Sequence, residues 1–139
     1  MICCFFGHRN VVEGVRESVR ECLVRLITKE NATKFYVGTH GELDRIVYGE
    51  LKKLKREYPS IDYAVVLAYF PKNETEYDPQ ETVYPEGLER VPKRAAIVAR
   101  NHWMIRSSDC VVVWTRGIGN SSALADFAAK QGKRVIHLA

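Results

Sequence analysis

Three short turns in this sequence carry groups that could hold an anion: Gly7-His8-Arg9, Gly38-Thr39-His40-Gly41 and Gly117-Ile118-Gly119-Asn120-Ser121-Ser122. Glycine admits a close approach to the backbone, and the amino end of a helix presents unpaired N–H groups with a partial positive charge. Ser121 and Ser122 add hydroxyl donors, Arg9 and Arg94 add charge, and Arg100 and Asn101 lie further along the segment that holds Arg94. Such a set suits a phosphate, and so a nucleotide or another phosphorylated small molecule. Each group also has a plainer use: glycines at strand-to-helix turns serve packing, and Arg100 and Asn101 can bind neighbouring backbone.

A second chemistry is open to the same edge. Cleavage of an N-glycosidic bond needs a carboxylate to stabilise an oxocarbenium-like centre or to activate water, and Glu86, Asp126 and Asp44 are the carboxylates within reach. Glu86 is the expected catalytic residue. His8 and His40 could converge on a metal, but no third ligand has a recognisable spacing, so no metal and no cofactor are expected.

The elements that must position these groups can be read from periodicity. Residues 2–6, Ile-Cys-Cys-Phe-Phe, form an unbroken apolar run, which marks a strand buried on both faces and ending at Gly7. Apolar residues at Val12, Val15, Val19, Cys22, Leu23 and Leu26 predict an amphipathic helix over about 11–29. A strand at 34–38 follows, then a helix with Leu43, Ile46, Val47, Leu51 and Leu54 inward that stops before Pro59. Residues 61–69 form the third strand. From 70 to 91 the periodicity fails, and Pro71, Pro79, Pro85 and Gly87 punctuate a segment read as a flap, with Tyr77, Tyr84 and Glu86 placed to meet a ligand. Pro92 opens a helix running to about 107, with Arg94, Ile97, Asn101 and Ile105 on one side. Residues 109–114 are the fourth strand. An alanine-rich helix closed by Gly132 and a last strand at 133–138 complete the chain.

Five strands alternating with four helices define an α/β fold, an open, mostly parallel sheet flanked by helices. In such sheets ligands bind at the carboxyl ends of the strands, where the strand order reverses. At 139 residues, 46% hydrophobic and 27% charged, the chain has material for a single domain spanning 1–139. Its net charge of +4 agrees with phosphorylated small molecules and less with nucleic acid. Cys3, Cys4, Cys22 and Cys110 have the spacing of neither a disulfide framework nor a zinc knuckle and are expected to be buried small hydrophobes. With no targeting segment and no apolar run long enough to span a bilayer, a cytoplasmic protein is expected.

Several blocks resemble the YpsA-like branch (DUF1273) of the SLOG superfamily: Phe6-Gly7-His8-Arg9, Phe35-Tyr36-Val37-Gly38 leading to Leu43-Asp44, Leu67-Ala68-Tyr69, Tyr84-Pro85-Glu86-Gly87-Leu88-Glu89, and Arg100-Asn101-His102-Trp103-Met104-Ile105 before Ser108-Asp109. The resemblance covers almost the whole chain. It implies a Rossmann-like domain related to the lonely-guy phosphoribohydrolases and to the DNA-processing protein DprA, a nucleotide or nucleotide-derived ligand, and a homodimer. Those enzymes carry a glutamate just after the glycine-rich turn, where this chain has Ser121-Ser122-Ala123-Leu124. Nucleotide sensing or sequestration is therefore the first expectation and N-glycosidic hydrolysis the second. Single-stranded nucleic acid at Lys52, Lys53, Lys55 and Arg56 is the third, with Tyr58 the one aromatic residue close by.

Overall fold

A computed structural model of the chain describes residues 1–8, 10–70, 77–115 and 120–138. Strands β1 (Ile2–Gly7), β2 (Lys34–Val37), β3 (Asp62–Val66), β4 (Thr82–Val83), β5 (Cys110–Trp114) and β6 (Arg134–His137) pair in the order β4-β3-β2-β1-β5-β6, every pair parallel. This is a Rossmann-like open sheet. The chain runs outward from β1 to β4 and then returns to the other side of β1 with β5, so the order reverses between β1 and β5.

Side chains alternate across the sheet with the period of two that a strand imposes. Cys3, Phe5, Phe35, Val37, Val65, Cys110 and Val112 face one core with helices α1 (Val15–Lys29) and α2 (Glu42–Glu57). Cys4, Phe6, Tyr36, Ala64, Val66, Val111 and Val113 face the other, with α3 (Ala96–Arg106) and α4 (Asn120–Lys130). Both faces being covered explains why β1 and β5 read as continuous apolar runs. The cysteines are buried free thiols, and burial pushes Cys22 up to about 11 and Cys4 up to about 12. Among the described residues, no helix is long and apolar enough to cross a membrane.

Four features differ from expectation, the first being that β3 ends at Val66 rather than at Tyr69. The sheet has six strands rather than five, because the segment read as a flap contributes β4, flanked by 3-10 turns at Pro79–Glu81 and Leu88–Arg90. Glu81 pins this segment to the body: Tyr63 donates to its Oε1 at 2.6 Å and Tyr48 to its Oε2 at 2.7 Å. Helix α1 starts at Val15 because Gly14, in the left-handed region at φ 90°, turns the chain there, and Val12 lies outside the helix, 49% exposed. Pro92 opens a 3-10 turn, Lys93–Ala95, before α3 proper, and this leaves Arg94 exposed and outside the helix.

The basic faces of α1 and α2 have uses of their own. The side chain of Glu50 is 3% exposed and receives Arg16 Nη1 at 3.1 Å and Arg20 Nη1 at 3.2 Å, tying α1 to α2. Lys55 is spent on the carbonyls of Pro59 and Ile61, and Lys52 lies over the Tyr48 ring. Burial alone would raise the Glu50 carboxyl, but the hydrogen bonds from Arg16 and Arg20 bring it below the usual 4.5. The folded value lies below the unfolded one, so the stabilisation is complete above about 4.5 and is lost as the pH falls through the folded value. Replacing Arg16 and Arg20 together by alanine leaves this carboxylate, among the described residues, only the ion pair with Lys53, 3.8 Å away. Chemical denaturation near neutral pH should show a loss on the order of 2 kcal/mol that shrinks in acid, and a loss below about 0.5 kcal/mol would contradict the role given to Glu50.

Candidate functional site

A cleft of about 310 Å³ opens over the carboxyl end of β1, where the strand order reverses. Phe6 and Gly7 line it from β1 and His8 from just beyond, His40 from the β2–α2 connection, Asp44 from the first turn of α2, Ile97, Arg100 and Asn101 from α3, and Ser121 and Leu124 from the first turns of α4. Four elements distant in sequence thus meet at one edge.

The floor is organised by Arg100, 2% exposed. Its Nη1 donates to the Val66 carbonyl at 2.9 Å and to Thr39 Oγ1 at 3.2 Å, and its Nε donates to Asn101 Oδ1 at 2.7 Å. Its Nη2 lies 3.3 Å from His40 Nδ1. A guanidinium has no lone pair to offer, so Nδ1 is the acceptor and a neutral His40 carries its proton on Nε2. These bonds fasten the ends of β2 and β3 to α3.

Asp44, in the first turn of α2, accepts the His40 backbone N–H at 2.9 Å. Burial pushes its carboxyl up to about 7, against the opposing pull of the Arg100 charge and the His40 N–H. The cleft therefore holds a carboxyl that titrates near neutrality, a property suited to moving a proton. Arg100 itself is lowered, by burial first, with the Asp44 charge acting the other way.

Gly7 and Gly38 serve the plainer of the two uses, packing. A Cβ on Gly7 would fall 2.0 Å from Leu43 Cδ2, and one on Gly38 would fall 3.0 Å from Asp44 Oδ2 and 3.2 Å from Arg100 Cζ. The protein's own side chains pack against the backbone at both: Leu43 leaves no room for a Cβ at Gly7, and at Gly38 the Asp44–Arg100 pair would have to give by a few tenths of an ångström.

Of the residues singled out by sequence, Gly7, His8, His40, Asp44, Arg100, Asn101 and Ser121 line the cleft, and Thr39 accepts a hydrogen bond from Arg100 beside it. Gly38 borders the same floor. Ser122 is half-buried, its Oγ 3.4 Å from Thr115 Oγ1, and Asn120 opens α4. Arg9, Gly117 and Gly119 lie outside the described residues. Glu86, Asp126 and Arg94 are exposed and are not part of the cleft lining, so Asp44 is the carboxylate that the fold brings to it. Among the described residues, no group of three or more His, Cys, Asp or Glu side chains could hold a metal ion. Phe6, Ile97 and Leu124 also line the cleft, and their apolar character matches core positions too closely for the sequence to mark them as site residues. Asp44 is one of the three carboxylates that the sequence places within reach, and the fold brings it, rather than Glu86 or Asp126, to the cleft.

No family model matches the chain, and no curated protein is similar to it at a significant level.

The Asp44 carboxyl has an ordinary value of 3.8 when unfolded and about 7 when folded. Between those values the folded state holds the extra proton, so stability falls as the pH rises through that window and the cost is constant above it. Asp44→Asn removes the cost. Its melting temperature relative to the wild type should gain more at about pH 8 than at about pH 4, and an equal difference at both would show that Asp44 is not held protonated.

Proposed function

We propose that the cleft binds a nucleotide or a nucleotide-derived small molecule, as a sensing or sequestering module. The observation that carries this reading is the meeting of Gly7, His8, Asn101 and Ser121 around one cavity at the strand-order reversal, with the amino end of α4 at its side. Helix amino ends favour anions, and crevices at the reversal point of open parallel sheets are the usual ligand sites of such folds. The resemblance of the Phe6-Gly7-His8-Arg9 and Arg100-Asn101-His102-Trp103-Met104 blocks to the SLOG superfamily supports the same ligand class. The internal use of Lys52 and Lys55 weakens the nucleic-acid alternative.

One observation favours a second reading, N-glycosidic hydrolysis: a carboxyl pushed up to about 7 lines the cavity. In that reaction a water oxygen bonds to the anomeric carbon, the water proton passes to Asp44, and the base departs with the electron pair of the broken C–N bond. Asp44 takes the role that Glu86 was expected to play.

Titration calorimetry against nucleoside monophosphates, diphosphates and ADP-ribose tests the first reading. Saturable binding is expected with at least one of them, weakened about tenfold in Ser121→Ala by loss of a hydroxyl donor to the phosphate. Absence of heat with every member would contradict it. Chromatography of the same mixtures separates binding from turnover: release of free base that is lost in Asp44→Asn and kept in Glu86→Gln would establish the second reading with Asp44 as its carboxylate.

A further inference from the structure

We infer that the Asn101 side-chain amide, oriented by Arg100, binds the terminal phosphate of the nucleotide, so that the cleft selects a phosphate monoester; this rests on the nucleotide reading of the cleft. A guanidinium has five N–H donors and no acceptor. Buried as it is, Arg100 draws the acceptor atoms of its neighbours towards itself and leaves their donor atoms on the other side. Four of its N–H groups meet acceptors of the protein: the Val66 carbonyl, Thr39 Oγ1, Asn101 Oδ1 and His40 Nδ1.

Asn101 shows the consequence most directly. The atom 2.7 Å from Arg100 Nε has to be the amide oxygen, because two donors cannot bond, and the Nδ2 donor then occupies the other arm of the same planar group. Among the described residues no acceptor meets Nδ2, and none of their buried side-chain N or O atoms lacks a partner, so Nδ2 reaches the accessible surface of a residue that lines the cleft. The same rule sets His40. Thr39 Oγ1 accepts from Arg100 Nη1 and directs its own proton to His40 Nδ1, 3.1 Å away. With Nδ1 used as an acceptor, the proton of the neutral ring sits on Nε2 and makes that atom a donor.

Ser121, from the first turn of α4, brings a hydroxyl to the same lining. Asp44 is the one carboxylate there; it accepts the His40 N–H, and burial pushes it up to about 7, so below that value it carries a proton itself. A lining rich in donors and poor in acceptors favours a ligand group that only accepts. A phosphate monoester offers three such oxygens and close to two negative charges near neutrality, and its hydrogen bonds are of the strong, charge-assisted kind. A sugar hydroxyl, which must also donate, finds few acceptors in the same place.

Asn101→Asp separates the two arms of the amide: its carboxylate still accepts from Arg100 Nε, so the melting temperature should not fall, while an oxygen replaces the donor that faces the ligand. Calorimetry on the intact chain with adenosine 5′-monophosphate should show this variant at least about thirtyfold weaker than the wild type, and adenosine changed by less than about twofold. In the wild type, the Asn101 side-chain amide protons should shift in NMR spectra as adenosine 5′-monophosphate is added. Equal nucleotide affinity in Asn101→Asp, or Asn101 amide protons unmoved at saturation, overturns the assignment while the nucleotide reading stands. So does a wild type that binds adenosine as tightly as its monophosphate. Binding of ribose 5-phosphate but not of the nucleotide, lost in Asn101→Asp, overturns the nucleotide reading and supports the amide as the phosphate donor. A wild type that binds none of the three probes overturns both.

Discussion

A buried guanidinium has to be satisfied on every side, and in this protein the obligation of Arg100 shapes the whole carboxyl edge of the sheet. Its partners come from elements far apart in sequence: the Val66 carbonyl, the Thr39 hydroxyl, the Asn101 amide oxygen and the His40 ring. Meeting them all holds the ends of β2 and β3 against α3 in a single arrangement. At Gly38 a Cβ would lie 3.2 Å from the guanidinium carbon, closer than most such contacts, so a side chain there would press on the arginine. The same charge faces Asp44, and a carboxyl that burial would otherwise push still further up titrates near neutrality. A site of fixed shape with an ionisable floor follows from one residue's hydrogen-bond demands.

The remainder of the fold isolates that floor from the other face of the sheet. Glu50 closes the seam between α1 and α2 with two arginines, and the side chains of β1, β2 and β5 divide cleanly between the two cores. Glu81, gripped by Tyr48 and Tyr63, holds the β4 segment to α2 and β3. Burial would raise the Glu81 carboxyl, yet the two tyrosine hydroxyls and the Asp78 N–H bring it below its usual value, so it serves as an ionised anchor. The long segment between β3 and α3 is thus moored in its second half, and its residues Tyr84 and Leu88 have fixed surroundings.

The α/β architecture was legible because parallel strands covered on both faces leave continuous apolar runs, as at Cys3-Cys4-Phe5-Phe6 and Val111-Val112-Val113. β4 was not legible, since Thr82 and Val83 are too short a stretch to show any period. The start of α1 was misjudged because Val12 keeps the helical spacing while Gly14 breaks the backbone behind it. Gly7, Gly38 and Ser121 lie at the carboxyl edge of the sheet, and the packing of Leu43 on Gly7 and of Arg100 near Gly38 joins segments in a way that local sequence cannot register. Glu86 and Asp44 look alike as letters in a chain. Only the fold separates an exposed carboxylate beyond β4 from a buried one in the first turn of α2.

The central claim is that a phosphorylated ligand sits over β1, between α4 and the Arg100-organised floor. Amide chemical-shift mapping during titration with a nucleoside 5′-monophosphate addresses it directly. The account predicts saturable shifts at Gly7, His8, His40, Asn101 and Ser121, with Arg20, Glu50 and Lys53 on the opposite face unmoved. Shifts concentrated on the α1–α2 face, or none at the β1 edge at saturating ligand, would contradict it.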